Sequence, residues 1–393
     1  MLTTYRRVLG LPGALGFSLS GLVARLPISM VSLGIVLLVS TRTGSYALAG
    51  TVSAAFLIAN ALLAVAQARL IDRLGQRRVL LPAIAVFATG LASMMVAVET
   101  GARSPWPHLC AAVAGATMPQ IGSCVRARWS LLVQERRQLH TAFAFEAVVD
   151  ETVFMVGPAL VTLLSTTVHP LAGLVTAAMA AVVGTVALTA QRGTEPPPGG
   201  RVRRGDEAMP WEVLVPLTAS AGALGVLFGG TEVATVAFAD EAGNTALSGL
   251  MLAVWALGSL LAGLVTGGVQ VRAGNATRFR WGLLLLALLM VPLPFVEGFV
   301  VLALVLFLAG FAISPTLIAS AGWIEEVVPA GRITEGMTLF TTGLAAGVAP
   351  GAALVGVVVD VAGASRAYWV PAAAGLAGAA LAFATAAVTS RRR

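Results

Sequence analysis

The chain contains no lysine; all 25 of its basic residues are arginine. Without lysine, a phosphate-cradling loop of the G-x-x-x-x-G-K type is impossible, and ATP binding by that motif is excluded. Histidine is scarce. His108, His140 and His169 stand apart from any Ser, Cys or carboxylate pattern that reads as a hydrolase or a metal site, so no metal, no cofactor and no enzyme is expected. The two cysteines, Cys110 and Cys124, share one apolar stretch, have no metal-type spacing and cannot build a disulfide framework. Charge is scarce as well: 11% of residues are charged, against roughly 25% in a soluble domain, while 58% are hydrophobic and the mean hydropathy is +0.89. This is the composition of a polytopic membrane protein.

What the chain has instead is long apolar runs. Runs of about 20 residues, enough to cross ~30 Å of hydrocarbon as a helix, begin near Leu15, Ala47, Val79, Pro107, Thr141, Pro170, Val213, Leu247, Trp281, Phe299, Glu335 and Tyr368. The expected fold is an all-α membrane protein with twelve transmembrane helices. The net charge of +7 follows topology rather than a nucleic-acid surface. Arg6, Arg7, Arg69, Arg73, Arg77, Arg78, Arg136, Arg137, Arg192, Arg201, Arg203, Arg204, Arg272, Arg278, Arg280, Arg332 and Arg391 to Arg393 fall in alternate loops, and the opposite loops hold Arg42, Arg103 and Arg366. The positive-inside rule then places both termini in the cytoplasm of a bacterial plasma membrane. The run after Arg6 and Arg7 is too long for a signal peptide, contains Arg25 and lacks a small-residue cleavage site, so it reads as the first span.

Residues 191–212 are polar and rich in Pro, Gly and Arg, and read as a solvated cytoplasmic linker between six-span halves at 1–190 and 213–393. The halves echo one another. Gly13-Ala14-Leu15-Gly16 matches Gly222-Ala223-Leu224-Gly225, Gly115 with Pro119 matches Gly310 with Pro315, and Pro158 in span five matches Pro350 in span eleven, all in the same order. Two pseudo-symmetric six-helix bundles are expected from such a duplication.

After span two the chain reads Ala68-Arg69-Leu70-Ile71-Asp72-Arg73-Leu74-Gly75-Gln76-Arg77-Arg78. This resembles the G-x-L-a-D-R-x-G-R-R signature loop of the major facilitator superfamily, with Ala68 and Gln76 departing from the pattern. The physics of the loop is plain: Gly75 permits a tight turn, its arginines reach phosphates or helix C-termini, and Asp72 can face a helix N-terminus. It reads as a latch between the halves built from Asp72, Arg73, Gly75 and Arg77. The counterpart Val271-Arg272-Ala273-Gly274 has Val in place of the Asp, so the latch should be lopsided. Gly157-Pro158 in span five is similar to the fifth-span motif of the superfamily's twelve-helix drug:proton antiporters, where it bends the helix between halves. Val153 stands where that motif has another Gly.

Charges at membrane depth are costly and mark substrate paths, proton relays or ion pairs. Residues 141–166 carry Glu146, Asp150 and Glu151. At 1.5 Å per residue, Arg25 and Asp150 both lie ~15 Å deep, while Arg126 and Glu146 lie about 8–10 Å from the cytoplasmic edge. Two pairs are therefore expected, Arg25 with Asp150 or Glu151, and Arg126 with Glu146. A carboxylate left without a cation can bind and release a proton, or the pairs can simply tie spans one, four and five together. On a helical wheel Glu146, Asp150 and Gly157 share a face and Glu151 does not. Arg128 should snorkel toward the cytoplasm. Polar positions at helical spacing, with Arg25, Asn60, Arg126 and Thr338 foremost, suggest a central cavity. Glu232, in the outer part of span seven, could bind a cation, take a proton or face a water funnel. Gly343, Gly347 and Gly351 form a ridge for close helix contact, expected against span two.

The reading is a monomeric secondary transporter working by alternating access: proton-coupled efflux of a small organic molecule, with Glu146, Asp150, Glu151 and Glu232 as proton-coupling carboxylates. The alternative is an importer or facilitator of a metabolite such as a sugar or amino acid. A transporter-like receptor without flux also fits. Its partners are a small-molecule substrate, protons and the lipid bilayer, with no nucleic acid.

Overall fold

In hydrocarbon every backbone N–H and C=O must be satisfied within the protein, and continuous helices do this within each segment. The computed structural model describes residues 2–44, 46–199, 208–244, 247–269 and 273–390, and among them there are helices and no strands. In order they are α1 (Leu2–Leu9), α2 (Ala14–Thr43), α3 (Tyr46–Leu74), α4 (Gln76–Glu99), α5 (Trp106–Thr117), α6 (Ile121–Leu132), α7 (Arg136–Thr167), α8 (Ala172–Ala190), α9 (Trp211–Glu241), α10 (Leu247–Gly268), α11 (Asn275–Met290), α12 (Phe299–Val327), α13 (Ile333–Ala362), α14 (Ala364–Ala367) and α15 (Trp369–Ser390). Eleven helical segments are long and apolar enough to cross a membrane. The twelfth span is α5 and α6 together, broken at residues 118–120. Arg201, Arg203, Arg204, Val271, Arg272 and Arg391 to Arg393 lie outside the described residues.

The break has a local cause. Pro119 has no N–H and pushes Met118 out of helical geometry, to φ −58°, ψ 122°. Side chains of α3 take over the freed groups: Asn60 Nδ2 donates to Gly115 O at 3.2 Å, and Gln67 Oε1 accepts from Gln120 N at 3.0 Å. Asn60, expected in a substrate cavity, is thus engaged with the backbone at the break. Pro315, its repeat counterpart, sits inside the unbroken α12.

Each half packs in the same way. The first brings α2 against α8, α7 and α3, and α5 against α3 and α4; the second brings α9 against α13 and α15, and α12 against α10 and α11. The glycines matched in sequence do equivalent jobs, Gly115 pressing on the backbone of Phe56 and Gly310 on that of Trp255. The ridge of Gly343, Gly347 and Gly351 does not meet α3 as expected. It packs on the backbone of Thr218, Gly222 and Val226 in α9, because Gly225 and Gly229 give α9 an equally smooth face.

The two halves meet at one end only. On α7, residues 141–150 are buried or nearly so, but Phe154, Met155 and Val156 are 56%, 50% and 41% exposed. Successive helical residues point about 100° apart, so these three cannot all face lipid. Likewise α13 is buried over residues 333–338 and exposed at 345, 346, 348, 349 and 350. The closed end carries the Arg-rich loops, and a funnel opens toward the Arg-poor face.

Candidate functional site

The funnel floor is a four-charge cluster on α2, α6 and α7. Arg25 Nε donates to Gly21 O at 3.1 Å, which fixes its stem along α2. Its two terminal nitrogens then fork, Nη1 to Asp150 Oδ1 at 2.7 Å and Nη2 to Glu146 Oε2. Arg126 Nη2 reaches Asp150 Oδ2 at 2.5 Å, so Asp150 bridges both cations. Glu146 is fully buried, and its Oε1 also accepts from Ser18 Oγ at 3.1 Å and Trp129 Nε1 at 2.8 Å. Asp150, by contrast, is 30% exposed, and Arg126 15%.

The pairing of Arg25 with Asp150 agrees with the depth estimate. The pairing of Arg126 with Glu146 does not: Glu146 belongs to Arg25, Ser18 and Trp129. Counted from residue 141, Glu146 looked level with Arg126, but the register of α7 against α6 is offset by one turn, and Asp150 is the carboxylate that Arg126 reaches. Trp129, one turn nearer the Arg-rich end than Arg126, is the residue that stands level with Glu146.

Glu151 points away from this cluster, as the helical wheel required. Its Oε1 accepts from Ser259 Oγ of α10 at 2.6 Å, and Ser259 shares a hydrogen bond of 2.9 Å with Ser314 of α12. No cation pairs with Glu151 among the described residues. It therefore links the two halves through a hydroxyl alone. Glu232 is exposed on α9 and has neither hydrogen bond nor ion pair among the described residues. Thr338 is fully buried and donates to Ser123 Oγ at 2.8 Å, so it ties α13 to α6 across the halves. Gly157 lies against Ser29 of α2 with no room for a Cβ, and Ser29 Oγ donates to Val153 O at 2.9 Å, so the Gly157-Pro158 segment is seated on α2.

The closed end is held by a second constellation. Asp72 Oδ2 accepts from Glu335 N at 2.8 Å, in the first turn of α13, where a negative charge is favoured by the helix dipole. Glu335, 2% exposed, takes Arg69 Nε on one oxygen at 2.7 Å and Arg332 on the other at 2.7 and 2.9 Å. Gly75 adopts φ 94°, open to glycine at little cost, and turns the chain into α4. The backbone N–H of Arg77 is capped by Glu195 Oε1 at 2.9 Å. Arg73, expected in the latch, is exposed and makes no ion pair or hydrogen bond among the described residues; Arg69, one turn earlier on α3, faces α13 instead. Glu335 marks the start of span eleven in the sequence, but its place in the latch depends on Arg69, Asp72 and Arg332 converging on it from elsewhere in the chain. Further ties are Thr141 Oγ1 to Gly267 O at 2.8 Å and Tyr5 Oη to Gly263 and Leu264 O at 3.2 and 3.1 Å. Burial pushes the Tyr5 phenol up to about 12, which keeps it a donor at physiological pH.

The linker is not wholly solvated, and Arg128 does not snorkel. Arg128 is fully buried beneath residues 191–195, with Nε on Gln76 Oε1 at 2.7 Å and Nη1 on Gln191 O and Thr194 Oγ1, both at 2.9 Å. Gly199 N donates to Asp72 O at 2.8 Å. Carbonyl and hydroxyl acceptors supplied by the linker replace the water that a snorkelling arginine would seek.

Among solved structures, this architecture is similar to a bacterial homologue of the iron transporter ferroportin in its outward-facing state, with a TM-score of 0.73 at 16% identity over 95% of this chain and 99% of that one. It is also similar to the human organic anion transporter MFSD10, with a TM-score of 0.73 at 17% identity, covering 96% and 99%. The E. coli fucose:proton symporter FucP gives a TM-score of 0.70 at 13% identity, covering 95% and 98%. At such identities the likeness concerns the fold. No curated protein matches the sequence. The sequence itself matches the Major Facilitator Superfamily over residues 17–305. With twelve spans, two like halves and the loop around Asp72, the chain belongs to the major facilitator superfamily and is a multi-pass membrane transporter rather than an enzyme.

Proposed function

We propose that the chain is a proton-coupled secondary transporter that exports a small organic molecule from a bacterial cell by alternating access. In this reading residues 1–190 and 213–393 rock as two bundles joined by the linker at 191–212, with the Arg-rich face and both termini cytoplasmic. The observation that carries proton coupling is Glu151, a carboxylate at mid-membrane depth with no cation among the described residues, bound to Ser259 of the opposite bundle at 2.6 Å. A proton taken up there changes the bond that holds the bundles together, and so couples protonation to closure. Asp150, partly exposed at the funnel floor and shared by Arg25 and Arg126, is the second carboxylate assigned to the proton path. Glu146 is assigned to hold Arg25 in place, since both its oxygens are taken up by donors from Ser18, Trp129 and Arg25 and it is sealed from water. Export, and kinship with drug:proton antiporters, rest on the Gly157-Pro158 seat against α2.

The test is accumulation of a fluorescent lipophilic cation in efflux-deficient bacteria, with and without a protonophore. Reduced accumulation that the protonophore abolishes, and that Glu151→Gln and Asp150→Asn each abolish, is the expected result. If a well-expressed parent leaves accumulation unchanged, export is refuted. If both variants keep full proton dependence, the coupling role is refuted. The second reading, an importer or facilitator of a metabolite such as a sugar or amino acid, is favoured by Arg126, which is 15% exposed at the funnel floor and open to a substrate's polar groups.

A further inference from the structure

Along the funnel the charges do not cancel. Arg25 and Arg126 are matched by Glu146 and Asp150, while Glu151 and Glu232 have no cation among the described residues. An organic anion entering this funnel meets two uncompensated carboxylates; an organic cation meets two partners.

The position of Glu232 gives that preference a location. A carboxylate turned to acyl chains is costly, and on α9 Glu232 lies one helical turn from Phe228 on the same face. Phe228 packs edge-on against Trp255 of α10, with ring centroids 5.6 Å apart. One turn deeper on α10 is Ser259, the partner of Glu151. From mouth to floor, this wall of the funnel therefore runs from Glu232, through the aromatic pair, to Ser259 and Glu151. Trp255 is only 9% exposed, and its indole N–H has no acceptor among the described residues. A buried donor without a partner is expensive, and an aromatic face of a ligand can accept it.

We propose that Glu232, Phe228 and Trp255 form a binding site for a lipophilic organic cation with an aromatic body. The carboxylate neutralises the charge, the Phe228 ring adds cation–π attraction, and the two rings cover the apolar body. The proposal rests on the transport reading above and names the substrate class of that funnel.

The experiment is equilibrium binding of tetraphenylphosphonium to the purified full chain in detergent, with tetraphenylborate as the probe of the same shape and opposite charge. The parent should bind the phosphonium and discriminate against the borate by at least tenfold. Glu232→Gln and Phe228→Ala should each weaken phosphonium binding tenfold or more, and Glu297→Gln, an exposed carboxylate elsewhere, should leave it unchanged. Trp255→Phe keeps a ring but loses the N–H, and should weaken binding severalfold while abolishing part of the ligand-induced fluorescence change. A thermal unfolding midpoint unchanged by Glu232→Gln shows that the variant is folded. Equal binding of the borate, binding by Glu232→Gln equal to the parent, or no phosphonium binding by the parent each overturns the site. Proton-driven phosphonium flux in liposomes separates this from the function reading. Binding that depends on Glu232 without flux keeps the site and removes the coupling; proton-driven transport by a protein that ignores phosphonium keeps the coupling and removes the site.

Discussion

Glu146→Gln is the substitution that most directly separates a structural carboxylate from one that carries protons. The change conserves size, yet Glu146 is sealed from water and holds three donors: Ser18 Oγ and Trp129 Nε1 on one oxygen, Arg25 on the other. A glutamine amide has one acceptor and two N–H donors. If its oxygen stays with Ser18 and Trp129, its N–H groups face the Arg25 guanidinium; if it flips, they face the indole N–H. Either orientation opposes donor to donor where no water can intervene, and Arg25 keeps Asp150, which it must share with Arg126. Breaking a buried pair from one side costs about 3–5 kcal/mol, whereas replacing both partners by apolar groups of similar size is often near neutral. Arg25→Met with Glu146→Met should therefore be more stable than the sum of its single changes predicts, by several kcal/mol on that scale. Unfolding in mixed micelles titrated with SDS and followed by circular dichroism measures all four corners of the cycle. The pH profile of any transport retained by Glu146→Gln should keep its shape. A cost below about 1 kcal/mol, additive single changes, or a displaced pH profile refutes the reasoning and returns Glu146 to the proton path.

Three other outcomes follow from the contacts described. Asp72→Asn weakens a charge-assisted cap on α13, worth about 1.5–3 kcal/mol, so a cysteine placed at Met337, now 3% exposed, should be labelled by a maleimide about tenfold faster or more. Gly347→Leu has no room against the backbone of Gly222, and should lower both yield and unfolding temperature, with overpacking costs of at least about 1–3 kcal/mol. Thr194→Val removes one of the acceptors of buried Arg128, a loss of about 1–3 kcal/mol, and should speed tryptic cleavage after Arg192, read by mass spectrometry.

The apolar runs placed all twelve spans within a few residues, because hydrocarbon admits little besides helices of that length. The break in span four was not legible, because Pro27, Pro82, Pro158, Pro216, Pro315 and Pro350 all sit inside unbroken helices, whereas Pro119 interrupts one. Depth along a helix was legible, and it brought Arg25 to Asp150. What depth could not supply was the register of one helix against its neighbour, and an offset of one turn between α6 and α7 was enough to misassign Glu146. The same limit hid Glu335, whose importance depends on Arg69, Asp72 and Arg332 arriving at one helix end from distant parts of the chain. The glycine ridge on α13 was legible as a close contact; its partner was settled by Gly225 and Gly229, two residues whose pattern on α9 carried the missing signal. Linker composition pointed to solvent, but composition does not reveal that Gln191 and Thr194 serve a buried arginine.

That docking separates the covalent midpoint of the chain from its mechanical one. Residues 191–199, although they follow the sixth span, are fastened to Arg128, Arg77 and Asp72 and travel with the first half. Split-gene expression of the two halves, insertion of a reporter, or exchange of halves with a relative should respect this seam. A cut after residue 199 hands the first half its own closing strip, whereas one after 190 leaves the buried guanidinium with Gln76 alone.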